Sequence, residues 1–170
     1  TEGKSIYDAI CKRAGADNVT YIGDDETLIA DSYPAGTTAI VVVGEASGTH
    51  EPAWGTATLE FPAEQQNLLK KLDASGVNVV SVVLMNRAYV MTPVDAASDA
   101  VMIVYRPGVT AGAEAVAHAL FGDCAISGKL PWQIPATMDQ VMLQREALPK
   151  DIENPLYDYG FGIEVAAFGQ

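Results

Sequence analysis

The chain has 170 residues, of which 49% are hydrophobic, so it is long enough to bury a sizeable core as one domain. Its formal net charge of -12 argues against nucleic acid or an anionic membrane surface as a partner and favours a neutral or sugar-like ligand. No apolar run reaches membrane-spanning length, and Cys11 and Cys124 have the spacing of neither a disulfide framework nor a metal site.

Three short elements are predicted before the first buried strand. Residues 5–14 are predicted as an amphipathic helix that begins with Ser5 as its N-cap and ends at Gly15. Residues 19–22 are rich in β-branched and aromatic side chains, which predicts a short strand. Residues 26–32 are predicted as a short helix that stops ahead of a proline.

Runs that are wholly or mostly apolar are typical of strands buried on both faces of a parallel sheet, and they occur at residues 39–44, 77–85 and 100–105. Helical patterns separate or follow these runs at residues 62–74, 94–98 and 112–121. The alternation predicts an α/β fold with a mainly parallel sheet sandwiched between helices, in a single domain over residues 1–170. Residues 130–170 are predicted to be strand and loop, because prolines keep them irregular.

A long polar loop follows the first of these buried strands. Residues 45–60 are rich in Ser, Gly, Thr and Pro and include His50 and Trp54. Loops of this length in a compact α/β domain are usually functional. In open α/β sheets the ligand binds beyond the carboxyl ends of the strands, where this loop starts. The loop is therefore the predicted location of the functional site.

Several segments, taken in order, resemble the C-terminal α/β domain of glycoside hydrolase family 3, the β-glucosidases and exo-β-glucanases. The segments that carry the resemblance are residues 39–45, 59–66, 79–84 with 86–88, 99–108, 112–122, 120–131 and 154–163. They extend over nearly the whole chain, and the resemblance implies a flavodoxin-like α/β sandwich. The family domain usually opens with one more buried strand, so the chain is expected to lack the first strand of that fold.

The resemblance implies a retaining enzyme that hydrolyses terminal β-D-glucosyl residues of β-glucosides or β-glucan oligosaccharides. The family's catalytic nucleophile is an Asp on a separate N-terminal (β/α)8 barrel, which this chain lacks. The chain is therefore expected to form one wall of the active site against that barrel and to be inactive alone. No cofactor and no metal are implied. Polysaccharide-cleaving relatives are mostly secreted, so an extracellular location is expected, with a cytoplasmic one left open.

The resemblance also implies a catalytic acid/base on the long loop, and Glu51 is the carboxylate that fits. In the family a Gly-Asp pair usually follows this Glu, whereas here Gly55 comes four residues later and Thr56 replaces the Asp. His50 could tune Glu51 or replace it as proton donor, since its ordinary pKa lies near neutrality. Trp54 could stack on a sugar ring. The alternative for Glu51 is an ordinary exposed loop residue.

A function without catalysis is the alternative to the enzymatic one. The missing barrel and the altered loop around Glu51 are also compatible with a non-catalytic module that binds glycans or serves as a structural interface. A reading frame for a barrel just upstream in the same gene would decide in favour of the enzyme.

Overall fold

The computed structural model describes residues 4–23, 26–44, 58–145, 148 and 150–168. The chain packs as two compact units. The first unit consists of Thr1–Gly23, Arg106–Lys129 and Gly162–Gln170, and the second of Asp24–Tyr105 and Leu130–Phe161. No helix within the described ranges is long and apolar enough to cross a membrane.

The secondary structure alternates between helices and strands through the first two thirds of the chain. In chain order the described elements are α1 (Ile6–Ala14), β1 (Thr38–Gly44), α2 (Ala63–Ala74), β2 (Asn78–Leu84), α3 (Thr92–Ala96), β3 (Ala100–Ile103), α4 (Ala111–Leu120) and α5 (Met138–Leu143). Two short 3-10 helices cover Ala16–Asn18 and Glu26–Leu28.

The second unit is built on a parallel sheet with the strand order β1-β2-β3. The central strand β2 carries Val79, Val82 and Val83, which are at most 1% exposed. Helix α2 packs against β1 and β2, and its Leu69 is fully buried. Since apolar burial is the main stabilising term, these side chains form the core that fixes the sheet. The predicted α/β fold with a parallel sheet is confirmed.

At the amino end of β2, the residue Asp99 continues the hydrogen-bond pattern of the sheet with its side chain. The carboxylate of Asp99 accepts a hydrogen bond from the Val79 N–H at 2.8 Å, and the Asp99 N–H donates to the Val79 carbonyl at 2.8 Å. Beside it, the hydroxyls of Ser81 and Ser98 lie 2.7 Å apart. These bonds satisfy polar groups inside the sheet and set the register in which β3 begins.

Three of the predicted elements are wrong or incomplete. Residues 19–22 form no strand, although Val19 is extended at φ -123° and ψ 121°, because none of the described strands pairs with them. Of the helix predicted at residues 26–32, only the 3-10 turn Glu26–Leu28 forms. In residues 130–170, where strand and loop were expected, Thr137 caps the helix α5 by accepting a hydrogen bond from the Gln140 N–H.

The first unit holds α1 against α4. Helix α1 begins with a capping box, in which the Ser5 hydroxyl accepts from the Asp8 N–H and the Asp8 carboxylate accepts from the Ser5 N–H. Ile10 of α1 and Val116 of α4 are buried. The predicted helix start at Ser5 and its end at Gly15 are both confirmed.

A charged network ties α1 to the turn after α4. Arg13 donates two hydrogen bonds to the Asp123 carboxylate, from Nε at 2.7 Å and from Nη2 at 2.8 Å. His118 Nδ1 lies 3.0 Å from Asp123 Oδ2. The hydrogen bond from Arg13, followed by that from His118, holds the pKa of Asp123 well below its usual range. The Phe-Gly-Asp sequence around Asp123 therefore has a structural role in this unit.

We expect Asp123→Asn to destabilise the chain at neutral pH and to destabilise it progressively less as the pH falls. A carboxylate with a lowered folded-state pKa stabilises the fold above its ordinary pKa, and that stabilisation is lost as the pH falls through the folded-state value. Urea unfolding from about pH 7 to about pH 2 would measure this. Asp17→Asn, at an exposed position of the same unit, is the control. A stability difference that stays constant down to the lowest pH would contradict this role.

Candidate active site

The three parallel strands end at the same edge of the sheet. Gly44 of β1 pairs with Leu84 of β2, and Val83 of β2 pairs with Ile103 of β3. Parallel strands run in one direction, so residues 45–57, 85–91 and 104–107 all begin at this carboxyl edge. Ligand sites of open α/β sheets lie at such an edge.

The end of β1 is fixed by a side chain from α2. The Gly44 N–H donates to Gln65 Oε1 at 2.8 Å, and Gln65 Nε2 donates to the Gly44 carbonyl at 3.0 Å. A Cβ atom at Gly44 would lie 1.9 Å from the Leu84 carbonyl oxygen, and φ is 142°. Only glycine fits this position. Gly44 and Gln65 therefore fix the last residue of β1.

The chain is also fixed directly after residues 45–57, at residues 59–61. The Val90 N–H donates to the Leu59 carbonyl at 2.9 Å, and Glu60 forms a parallel bridge with Val90. Gln66 Nε2 donates to the Phe61 carbonyl at 2.7 Å, and the Phe61 side chain is 3% exposed. Residues 45–57 thus run between two anchors, one at Gly44 and one at residues 59–61.

The residues after β2 and β3 add aromatic groups to the same edge. Tyr89 packs edge-on against Phe61, with ring centroids 5.6 Å apart, and the Arg87 guanidinium lies 5.8 Å from the Tyr89 ring centre. Tyr105, after β3, has a φ of 45° and packs edge-on against Trp132 at 5.5 Å. Such backbone angles are unfavourable for a bulky residue and concentrate at functional sites.

The polar atoms of Tyr105 and Trp132 are buried, which affects their hydrogen bonding and the pKa of the tyrosine. The Tyr105 hydroxyl and Trp132 Nε1 are buried and have no hydrogen-bond partner within the described part of the chain. Burial raises the pKa of Tyr105, so its hydroxyl stays neutral.

The predicted site residues themselves, Glu51, His50 and Trp54, lie in residues 45–57, outside the described residues. Their roles stay predictions. Sequence reasoning missed the anchoring function of Gln65. Gln65 lies at helical spacing from Leu68, Leu69 and Leu72, and a polar side chain on that apolar side of the helix was the available signal. Among the described residues, no group of three or more His, Cys, Asp or Glu could hold a metal ion.

Comparisons with known proteins identify the family. The model for "Glycosyl hydrolase family 3 C-terminal domain" matches residues 2–165. A periplasmic beta-glucosidase of Salmonella typhimurium is 29% identical over 147 residues, which cover 76% of this chain and 19% of that protein. Beta-glucosidase C of Emericella nidulans is 34% identical over 118 residues, which cover 69% of this chain and 18% of that protein.

A solved β-glucosidase structure contains a domain with the same fold. The chain superimposes on Beta-D-glucoside glucohydrolase from Trichoderma reesei with a TM-score of 0.75 and 21% identity, over 93% of this chain and 26% of that one. The chain spans about a fifth of the length of the curated relatives, at 19% and 18%. With a match over residues 2–165, the chain belongs to the glycosyl hydrolase family 3 C-terminal domain family.

Proposed function

We propose that the chain is the C-terminal domain of a retaining β-glucosidase and that it forms one wall of the active site. The observation that carries this proposal is the pair of anchors, at Gly44 and at residues 59–61, at the carboxyl edge of the sheet. A family member needs a segment that projects toward the sugar from a fixed base. The anchors supply that base for residues 45–57.

The position of Glu51 between the anchors suits a catalytic acid/base. Glu51 comes seven residues after Gly44 and eight before Leu59, near the middle of the segment. At about 3.4 Å per residue, seven residues can reach roughly 24 Å from the sheet edge. Glu45, the other carboxylate of the segment, directly follows the fixed Gly44 and cannot extend in this way.

Glu51 would act in both steps of a retaining mechanism. Retention needs two carboxyl groups, one as nucleophile and one that first protonates the leaving oxygen and then deprotonates water. The nucleophile belongs to an N-terminal barrel of the same enzyme, and Glu51 takes the second role. Trp54 stacks on the glucosyl ring and His50 donates a hydrogen bond to the sugar. The periplasmic relative supports a location outside the cytoplasm.

We expect the purified 170-residue chain not to hydrolyse aryl β-glucosides, because one of the two required carboxyl groups is missing. A polypeptide in which the N-terminal barrel precedes this chain should hydrolyse them. Release of the aryl leaving group measures both. Turnover by the chain alone, in proportion to its concentration, would contradict the proposal. If the longer polypeptide bound glucosides without turnover, the non-catalytic alternative would be favoured.

A further inference from the structure

Tyr89 follows β2 at the carboxyl edge of the sheet, next to the strand from which residues 45–57 begin. Gly44, the last residue of β1, pairs with Leu84, the last residue of β2. Neighbouring strands of a sheet lie about 4.8 Å apart. Residues 45–57 and residues 85–91 therefore leave the sheet at nearly the same place. A half-buried aromatic side chain at this edge is a candidate for contact with the substrate of the proposed active site.

The Tyr89 ring is held in place by its neighbours. It packs against Phe61 with ring centroids 5.6 Å apart, and Phe61 is itself only 3% exposed. The Arg87 guanidinium lies 5.8 Å from the Tyr89 ring centre. The next residue, Val90, donates its N–H to the Leu59 carbonyl at 2.9 Å, which fixes the backbone beside the ring. An aromatic ring that is already fixed loses little conformational entropy when a ligand packs on it.

A fixed and half-buried aromatic ring suits contact with a sugar. One face of a pyranose ring carries C–H groups that pack against the face of an aromatic side chain, and such ring contacts add to the gain from burial. The formal net charge of -12 disfavours an anionic ligand at the same place. A neutral sugar ring is therefore the class of group that fits Tyr89.

The position of Tyr89 favours the leaving group over the glucosyl group. In a retaining enzyme two carboxyl groups flank the scissile bond, and the acid/base lies beside the leaving oxygen. The proposed function assigns the nucleophile to another domain and the acid/base to residues 45–57. Side chains at the edge from which residues 45–57 begin are therefore on the side of the leaving group.

We propose that Tyr89 is a specificity-determining residue that packs on the sugar ring of the leaving group, which requires the proposed function to be correct. Its ring takes no part in proton transfer. It lowers the free energy of substrates whose leaving group is itself a pyranose, and it gives nothing to substrates whose leaving group is small. The substrate class that this residue selects is that of β-linked glucose disaccharides and oligosaccharides.

The test compares a β-linked glucose disaccharide with methyl β-glucoside in the two-domain enzyme, in which the N-terminal barrel precedes this chain. Both leaving groups are poor, so both substrates need the general acid, but only the disaccharide carries a ring on the leaving side. We expect Tyr89→Ala to lower kcat/KM for the disaccharide about tenfold, mainly through KM, and to change methyl β-glucoside less than about twofold. Tyr89→Phe keeps the ring and should retain the wild-type ratio.

Tyr159→Ala is the matched control. Tyr159 also lies beside a cation, with Lys150 Nζ 4.4 Å from its ring centre, and it is 45% exposed. It belongs to a turn and not to the end of a sheet strand, so its loss should leave the ratio of the two substrates unchanged. Tyr89→Leu replaces the alanine variant if that variant does not fold, because leucine fills the space beside Phe61 without an aromatic face.

Equal slowing of both substrates by Tyr89→Ala, or no change in either, would overturn this role of Tyr89 while leaving the proposed function intact. A Tyr89→Phe variant that discriminates as poorly as Tyr89→Ala would overturn it as well, because the hydroxyl and not the ring would then carry the effect. If the wild-type two-domain enzyme hydrolysed neither substrate, the proposed function would fail, and the role of Tyr89 would fail with it.

Discussion

Replacing Glu51 by Ala in the two-domain enzyme should slow the hydrolysis of natural β-linked disaccharides by about two to four orders of magnitude, the usual effect of losing an acid/base. The first step on aryl glucosides with good leaving groups should change little. A general acid matters most when the leaving group is poor, so the two substrate classes separate this role from a structural one. The ratio of kcat/KM for the two classes is the measurement.

Glu45→Ala is the matched control for this experiment. It removes the other carboxylate of residues 45–57, next to the fixed Gly44, and should not discriminate between leaving groups. Equal slowing of both substrate classes by Glu51→Ala would move the proton donor elsewhere. His50, which is adjacent in the chain, would be tested next.

We expect Gly44→Ala to destabilise the chain by about 3 kcal/mol or more, the range of a backbone clash combined with strain. The new Cβ would lie 1.9 Å from the Leu84 carbonyl oxygen, and that oxygen belongs to the neighbouring strand β2, which cannot give way easily. The substitution would force β1 away from β2 or turn the chain out of its direction. Urea unfolding measures the change in the free energy of unfolding.

Gly36→Ala separates the clash from the backbone strain. Gly36 also has a positive φ, of 82°, but nothing lies within 4 Å of a Cβ built there. Its substitution should therefore cost only about 1–2 kcal/mol, the penalty of a left-handed conformation. If Gly44→Ala were no more destabilising than Gly36→Ala, the close approach of β1 to β2 at Leu84 would not fix the end of β1.

The strands were predictable where burial decides the structure. Residues 39–44 and 100–105 are apolar throughout, and residues 77–85 are interrupted only by Asn78 and Ser81; β1, β2 and β3 lie in these three runs. Residues 19–22 have the same propensities but no paired neighbour among the described strands. A strand depends on its partners, which local composition does not reveal.

Helix α5 was not predicted because its sequence lacks a clear helical pattern of apolar residues. Two of its apolar residues, Met142 and Leu143, are exposed, and the polar Gln140 bonds the carbonyls of Glu153 and Asn154, so the usual amphipathic signal is weak. The role of Gln65 was equally hidden, because its bonds to Gly44 join residues 21 positions apart. Glu51 came from the resemblance to the family, and no physical pattern in the sequence distinguishes it from any other loop glutamate.

The most direct test of the central claim, that Glu51 is the acid/base of a retaining active site, is the product that the Glu51→Ala variant of the two-domain enzyme forms with azide. Without the carboxylate, azide can attack the glycosyl-enzyme without help from a base. We predict that azide restores turnover of an activated aryl glucoside and that NMR identifies the product as the β-glucosyl azide. Turnover that azide leaves unchanged, or an α-configured product, would contradict the assignment.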